Sequence, residues 1–369
     1  MSSELFESVP NFSEGRDVEL IDAIADAASS AHVLDVHPDP DHHRAVVSIA
    51  GAREHLVHAL VHAVAAAAER IDLTRHAGVH PRVGAADVVP IVPLGSTSLD
   101  TCHDVARELG LRIWTELELP VFFYGHGEDW TLADIRAGRA QPDLGGPELH
   151  PTFGAVCIGA RRMLIAFNVM LDGLDVPEAR ALARSIREAN GGMRGVMALA
   201  FELPGGRLQL SMNLFRIDET TPQAVVDELQ RRGLHVGGQE IVGLCPAAAA
   251  NEAAAGRLLE ARLGSAVARA GARRCLQAGG EELAALATRL QHEAAGLADL
   301  GVDQESLLSG AERCAALGPV LAAAGVLDDE LEGMAGVAAG GLRSAIGSPT
   351  ETAYAARLQA LDRRLAGSA

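Results

Sequence analysis

Two kinds of apolar pattern alternate between residues 5 and 94, and their order leaves few folds open. Residues 5–9 form a short apolar run. Residues 17–30 then carry Val18, Ile21, Ile24, Ala25 and Ala28 at helical spacing. Residues 32–36 and 45–50 read as two strands, joined by the turn-rich run from His37 to His43. Residues 54–70 hold a second helical stripe through Leu56, Leu60, Val61 and Val64, and 88–94 read as a buried strand. This β-α-β-β-α-β order predicts a ferredoxin-like sheet with two helices on one face. A helix over 99–118 and a strand over 121–124 follow.

A Pro/Gly-rich stretch, 141–154, interrupts the pattern and reads as a linker. A second α+β lobe is expected beyond it, with strands in 156–171, a helix over 176–190 and two strands in 196–214 around Pro204-Gly205-Gly206. A helix over 221–232 and an extended segment over 240–244 complete it. From about Ala247 alanine, leucine, glutamate and arginine dominate. Breaks at Gly279-Gly280, Gly310, Gly318, Gly325, Gly340-Gly341 and Pro349 suggest four or five helices. One stripe there runs through Leu283, Leu286, Leu290 and Leu297. The fold class expected is therefore α+β: two ferredoxin-like lobes (1–140 and 155–260), a linker (141–154), and an all-helical extension (261–369).

Residues 74–93 concentrate the chemistry. Two histidines, two arginines and two glycines fall within a dozen residues and lead into the apolar strand. Pro81 biases His80 toward extended geometry, and Gly78 and Gly84 mark tightly turned backbone. A fixed imidazole at the mouth of a buried strand can take and return a proton near neutral pH. His76 and His80 also stand at i, i+4, the spacing of zinc ligands on a helix, but Gly78 and Pro81 argue against a helix here. The run His37-Pro38-Asp39-Pro40-Asp41-His42-His43 offers imidazoles and carboxylates suited to divalent ions. Its prolines and solvent exposure account for the same residues as a polar turn or the edge of an active site.

Composition excludes several classes. The net charge of −18 argues against nucleic acid or an anionic membrane as partner. All 31 basic residues are arginine, so lysine Schiff-base chemistry is excluded and any carboxylate clamp must be arginine. The five cysteines are scattered with no C-x-x-C, as expected of reduced core thiols. With no signal-peptide pattern and no long apolar run, a cytoplasmic protein is expected. No G-x-x-x-x-G-K phosphate loop occurs.

Arg75-His76-x-Gly78-x-His80-Pro81-Arg82-x-Gly84 resembles the histidine signature of the formiminotransferase domain family. Val9-Pro10-Asn11-Phe12-Ser13-Glu14-Gly15-Arg16 resembles that family's opening segment. So do Gly159-Ala160-Arg161 with Leu164-Ile165-Ala166-Phe167-Asn168, Ser211-Met212-Asn213-Leu214, and Val242-Gly243-Leu244-x-Pro246. The motifs stand in family order over roughly residues 4–260; the helical extension lies outside the resemblance, and the glycine-rich segment of a cyclodeaminase domain is not found.

The resemblance implies transfer of a formimino group from N-formimino-L-glutamate to N5 of tetrahydrofolate. It implies His80 as acid/base, tetrahydrofolate as co-substrate, and no metal. It implies folate contact at 145–154, with Gly145, Gly146, His150, Thr152, Phe153 and Gly154 as the candidates; bottom-up, Phe153 is the one aromatic there able to stack on a pterin. Asn11, Arg44, Arg82, Arg161, Asn168 and Asn213 are candidates for binding the substrates, an arginine fork being suited to glutamate carboxylates. Family members often carry asparagine where this chain has His43. A homodimer is expected, as is a separate cyclodeaminase acting on the product. Alternatives left open are another formimino or formyl donor, a metal-dependent N-acyl amino acid hydrolase, and a non-catalytic folate-binding or assembly protein.

Overall fold

A computed structural model of the chain describes residues 4–76, 82–346 and 363. Glu4–Met163 forms one compact unit, and Leu164 begins a second.

In the first unit β1 (Leu5–Ser8), β2 (Asn11–Phe12), α1 (Val18–Ala27), β3 (His32–Asp39), β4 (Arg44–Ala52), α2 (Arg53–Arg70), β5 (Ala86–Leu94), α3 (Leu99–Leu117), β6 (Val121–Gly125), α4 (Leu132–Arg136) and β7 (Val156–Ala160) follow in sequence. The sheet has seven strands: β3 pairs β4, β4 pairs β1 and β2, and β5, β7 and β6 continue it. The pairs on the β3 side are antiparallel, whereas β7 lies parallel to both β5 and β6. Asp17 caps α1 by accepting from the Leu20 amide, and Ser98 caps α3 through Thr101. Ile24, Leu56, Leu60, Val64, Val105, Leu109 and Ile113 from α1, α2 and α3 form the main core with Phe6, Phe12, Ile49, Val89, Ile91 and Ile158. A smaller core of Val88, Phe122, Tyr124, Ile135 and Cys157 lies under α4. Strands covered on both faces read as continuous apolar runs, which is why β5 is Val-Val-Pro-Ile-Val-Pro rather than alternating.

Residues 141–154 are part of this unit, not a linker between lobes. Asp143 donates its amide to the Val121 carbonyl (2.8 Å) and its carboxylate accepts from the Phe123 amide (2.7 Å). The Leu73 and Ala85 amides donate to the Thr152 and Phe153 carbonyls, each at 2.8 Å. The chain then enters β7 in the first sheet, so the division falls between Met163 and Leu164 rather than after residue 154. Strand period does not reveal this, because β7 and the next strand are successive apolar runs that join different sheets.

The second unit begins with β8 (Ile165–Leu171), α5 (Val176–Ile186), β9 (Val196–Leu203), β10 (Arg207–Leu214), α6 (Pro222–Arg231) and β11 (Val236–Val242). These strands form an antiparallel sheet in the order β11-β8-β10-β9. Ile165, Phe167, Val169, Leu210, Met212 and Leu214 are buried, whereas Ser211 and Asn213 on the alternate face are partly or fully exposed. The helical portion holds α7 (Leu259–Ala278), α8 (Glu281–Ala298), α9 (Gln304–Ala323) and α10 (Asp329–Ala345). The Gly279-Gly280 break separates α7 from α8, but Gly310 and Gly318 lie inside α9 and Gly340-Gly341 inside α10. Two of these glycines are packing positions. A Cβ on Gly310 would sit 2.5 Å from Leu300 Cδ2, and one on Gly341 2.6 Å from Glu260 Cγ. Glu260 itself is buried in α7, accepting the Ala247 amide at 2.9 Å, and burial pushes its carboxyl up. All five cysteines are buried and free. Among the described residues no helix is long and apolar enough to cross a membrane.

Candidate functional site

One end of the first sheet gathers charged side chains from four segments. The 13–17 loop is clamped against the β3–β4 hairpin end. A Cβ on Gly15 would lie 2.3 Å from the Asp39 carbonyl oxygen and 2.5 Å from the Arg44 nitrogen, so no side chain fits there. One carboxylate oxygen of Glu14 accepts the amides of Gly15 (2.9 Å), Arg16 (2.8 Å) and Asp17 (3.0 Å). Burial opposes ionisation of Glu14, but these hydrogen bonds and nearby His43 outweigh it and hold the carboxyl below its ordinary value. The loop is tied to the entry of β5 as well: Ser13 donates its amide to the Ala85 carbonyl and its hydroxyl to that of Gly84, both at 2.8 Å.

The hairpin end supplies the second segment. His42 is buried, its Nδ1 2.8 Å from the Asp39 carboxylate, which also accepts the His42 amide at 2.9 Å. Arg44 Nε lies 3.7 Å from the same carboxylate. His37 is buried too, so solvent exposure does not explain the polarity of this run. His43 adopts φ 52° and turns its ring inward, with Nε2 3.3 Å from Glu14 and Nδ1 against His76 Nε2.

Arg82 comes from the third segment. Its Nη1 lies 2.9 Å from His76 Nδ1 and 2.7 Å from Nε2, and its two Nη atoms each approach a carbonyl, of His43 and His42, at 3.5 Å. Just beyond it, buried Asp87 accepts the Val83 amide (2.5 Å) and Arg136 Nη2 of α4 (2.7 Å), fixing the backbone on which Arg82 stands. Burial, the Arg82 charge and His43 together lower His76 to about 4, and burial likewise lowers His43, so the surroundings of both rings disfavour the imidazolium form. His80, with Gly78 and Pro81, lies outside the described residues.

Residues 150–154 run beside Arg82. Gly84 and Gly154 form a β-bridge, and the Ala155 amide donates to the Val83 carbonyl at 3.1 Å. Gly154 has φ 79° and a Cβ there would meet the Val83 oxygen at 2.2 Å, so glycine is required by the backbone. His150 Nδ1 accepts the Phe153 amide at 3.1 Å, and His150 and Gly154 exchange backbone hydrogen bonds. Phe153 itself is fully buried in the main core, which overturns its assignment as a stacking platform. A single aromatic in a glycine-rich segment is equally the plug that seats the segment, and burial decides between the two. Gly145 takes φ 75° and a Cβ there would sit 2.5 Å from Trp114 Cζ3, while Gly146 is exposed and Thr152 half-buried.

Asn11, Arg44 and Arg82 are thus brought to one end of the sheet: Asn11 is opposite Val46 and Val88, and Arg44 opposite Asp39. Arg161 is not among them. It follows Ala160, opposite Ile91 farther along β5, and its charge is set against Tyr124 and Glu7. Burial pushes that Tyr124 hydroxyl up to about 12. Asn168 and Asn213 share a face of the second sheet, Asn168 donating to the Glu240 carboxylate at 3.0 Å. The sequence reading did not single out Glu14, Asp87 and Arg136 as site residues. The signal available for Glu14 was its place directly before Gly15, where a carboxylate can collect successive amides. Among the described residues no group of three histidine, cysteine or carboxylate side chains is gathered to hold a metal ion.

An α+β unit with an arginine–histidine cluster beside a glycine-rich backbone segment suits a small, carboxylate-bearing ligand better than a macromolecule. Residues 5–161 match the formiminotransferase domain, N-terminal subdomain. A glutamate formimidoyltransferase of Streptococcus pyogenes serotype M1 is 34% identical over 271 residues, 67% of this chain and 91% of that protein. One of Thermoplasma acidophilum is 39% identical over 268 residues, 66% of this chain and 88% of that protein. A mouse formimidoyltransferase-cyclodeaminase is 36% identical over 284 residues, 69% of this chain but 52% of that protein. The chain belongs to the formiminotransferase family.

Proposed function

We propose that the protein is a glutamate formimidoyltransferase, moving the formimino group of N-formimino-L-glutamate to N5 of tetrahydrofolate. The N5 lone pair attacks the formimino carbon to give a tetrahedral centre. N5 then gives up its proton, the glutamate nitrogen takes one, and the bond from carbon to that nitrogen breaks, releasing L-glutamate. Atoms balance without an oxidant or a covalent enzyme intermediate, so positioning and proton transfer suffice. His80 is the proton carrier in this reading. Arg82, with Arg44 and Asn11 at the same sheet end, receives the carboxylates of the formimino donor. The backbone of 145–154 forms the folate wall through its amides and close approach, with no metal required. Arg161, Asn168 and Asn213 are kept as contacts to more distant parts of the substrates.

The observation that carries this reading is the hydrogen-bonded adjacency of 150–154 and the Arg82 segment, in a chain that matches formimidoyltransferases over about nine-tenths of their length. The finer reading includes two ferredoxin-like sheets, a cytoplasmic homodimer, a helical portion that is structural or associative, and a separate cyclodeaminase for the product. A panel of formimino and formyl donors with tetrahydrofolate, read by the 5-formimino chromophore, tests the function. Turnover with N-formimino-L-glutamate is expected; its absence, with another donor active, reassigns the substrate.

A further inference from the structure

Four side chains at the sheet end form a line: Glu14, His43, His76, Arg82. Their hydrogen-bonding chemistry has a direction. Arg82 can only donate, and ionised Glu14 can only accept. The His76 nitrogen facing Arg82 is therefore an acceptor, and His43 Nε2, 3.3 Å from Glu14, carries a hydrogen. Arg82 Nη1 is within reach of both His76 nitrogens, at 2.9 Å and 2.7 Å. Nε2 is already engaged by His43 Nδ1, so Nδ1 is the acceptor and Nε2 the donor. With both rings neutral the links run one way, from Arg82 to His76 Nδ1, from His76 Nε2 to His43 Nδ1 and from His43 Nε2 toward Glu14, and the 2.7 Å approach of Arg82 Nη1 to His76 Nε2 is then a contact without a hydrogen bond. The reverse assignment would need an imidazolium beside Arg82 and Arg16. Glu14 favours a charge on His43, but burial and those two arginines oppose it. The neighbouring Asp39 carboxylate is committed to His42 and Arg44.

We infer that His43 is a positioning residue for the formimino donor: it relays the fixed Glu14 carboxylate through His76 to orient the Arg82 guanidinium. This rests on the formimidoyltransferase reading for what Arg82 binds. Glu14 is a rigid root because three successive amides hold one of its oxygens. His43 can span from it to His76 because its two nitrogens face opposite ways and its φ of 52° turns the ring inward, a conformation uncommon for a residue other than glycine.

The test uses the full chain. His43→Leu removes both links, whereas His43→Gln keeps one acceptor and one donor. His43→Leu should raise KM for N-formimino-L-glutamate about tenfold and leave kcat and the folate KM within about twofold; His43→Gln should restore most of the loss. Nitrogen-15 histidine spectra at pH 6.5, assigned by His43→Leu and His76→Leu, should show both rings as neutral Nε2–H tautomers. An imidazolium or an Nδ1–H tautomer at either ring overturns the relay. So does a folded His43→Leu protein with native donor KM. If the native chain transfers no formimino group, the functional reading fails while the spectra still decide the relay.

Discussion

The hairpin end around residues 37–44, which reads as a polar turn or an active-site edge, and the segment 145–154, which reads as a folate contact, are built in opposite ways. At the hairpin end the side chains carry the interaction: His42, His43, Asp39 and Arg44 meet Glu14, His76 and Arg82. In 145–154 the one large apolar side chain, Phe153, turns into the core, and the backbone makes the contacts. A surface can thus be fixed by charged groups held by one another or by a backbone strip held by a buried anchor. Substitutions should separate the two: the first loses binding or rate, the second loses folding.

The largest effect should come from His80→Ala, lowering kcat by about 10²- to 10⁴-fold with folate affinity little changed, as for a lost general acid–base group. Steady-state kinetics with near-normal turnover would remove His80 from proton transfer. Phe153→Ala should cost about 3–5 kcal/mol of stability by denaturant titration, the range for a fully buried phenylalanine, with folate KM per folded molecule unchanged. A stable variant with a raised folate KM would instead make Phe153 a ligand contact. Arg82→Ala should raise the formimino-donor KM by about 10- to 100-fold, the worth of charge-assisted hydrogen bonds, and the folate KM far less. Equal rises in both would mean that Arg82 serves the whole pocket.

Acid should act on two regions with opposite sign. His76 is lowered in the folded state to about 4, so the unfolded chain binds the extra proton first. Its stabilisation is present above its unfolded value of about 6.5 and is lost as pH falls toward 4. Glu260 is raised, so it holds its proton longer when folded, and its stabilisation is lost as pH rises above the ordinary glutamate value. Hydrogen exchange should therefore show β3 and β4 losing protection from pH 7 to 4.5 while α7 keeps its own, and His76→Gln should flatten the first trend. Simultaneous loss in both regions would contradict it. The smallest effect should be none: dialysis against EDTA should leave turnover intact, and loss of activity together with bound zinc or manganese would overturn the metal-free reading.

Much of this architecture is legible in the chain. The helical stripes of α1 and α2 and the apolar run of β5 give their elements from period and composition, because burial on one face selects residues at that face's spacing. His80 and Arg82 stand out because glycine, proline, histidine and arginine together mark a polar loop with constrained backbone, whereas the 145–154 segment becomes a candidate through the family resemblance. Other features depend on which segments meet. Whether 141–154 joins lobes or belongs to one is decided by hydrogen bonds from Val121, Leu73 and Ala85, residues distant in sequence. Whether Gly310 and Gly341 break helices or let them approach depends on Leu300 and Glu260 across the packing interface. Phe153 reads the same in sequence whether it stacks on a ligand or fills the core. His43 reads the same whether it is a turn residue or a bridge between Glu14 and His76. Sequence spacing reports which face a residue occupies within its own element; what lies opposite that face is set by contacts between elements far apart in the chain, and only the tertiary structure decides it.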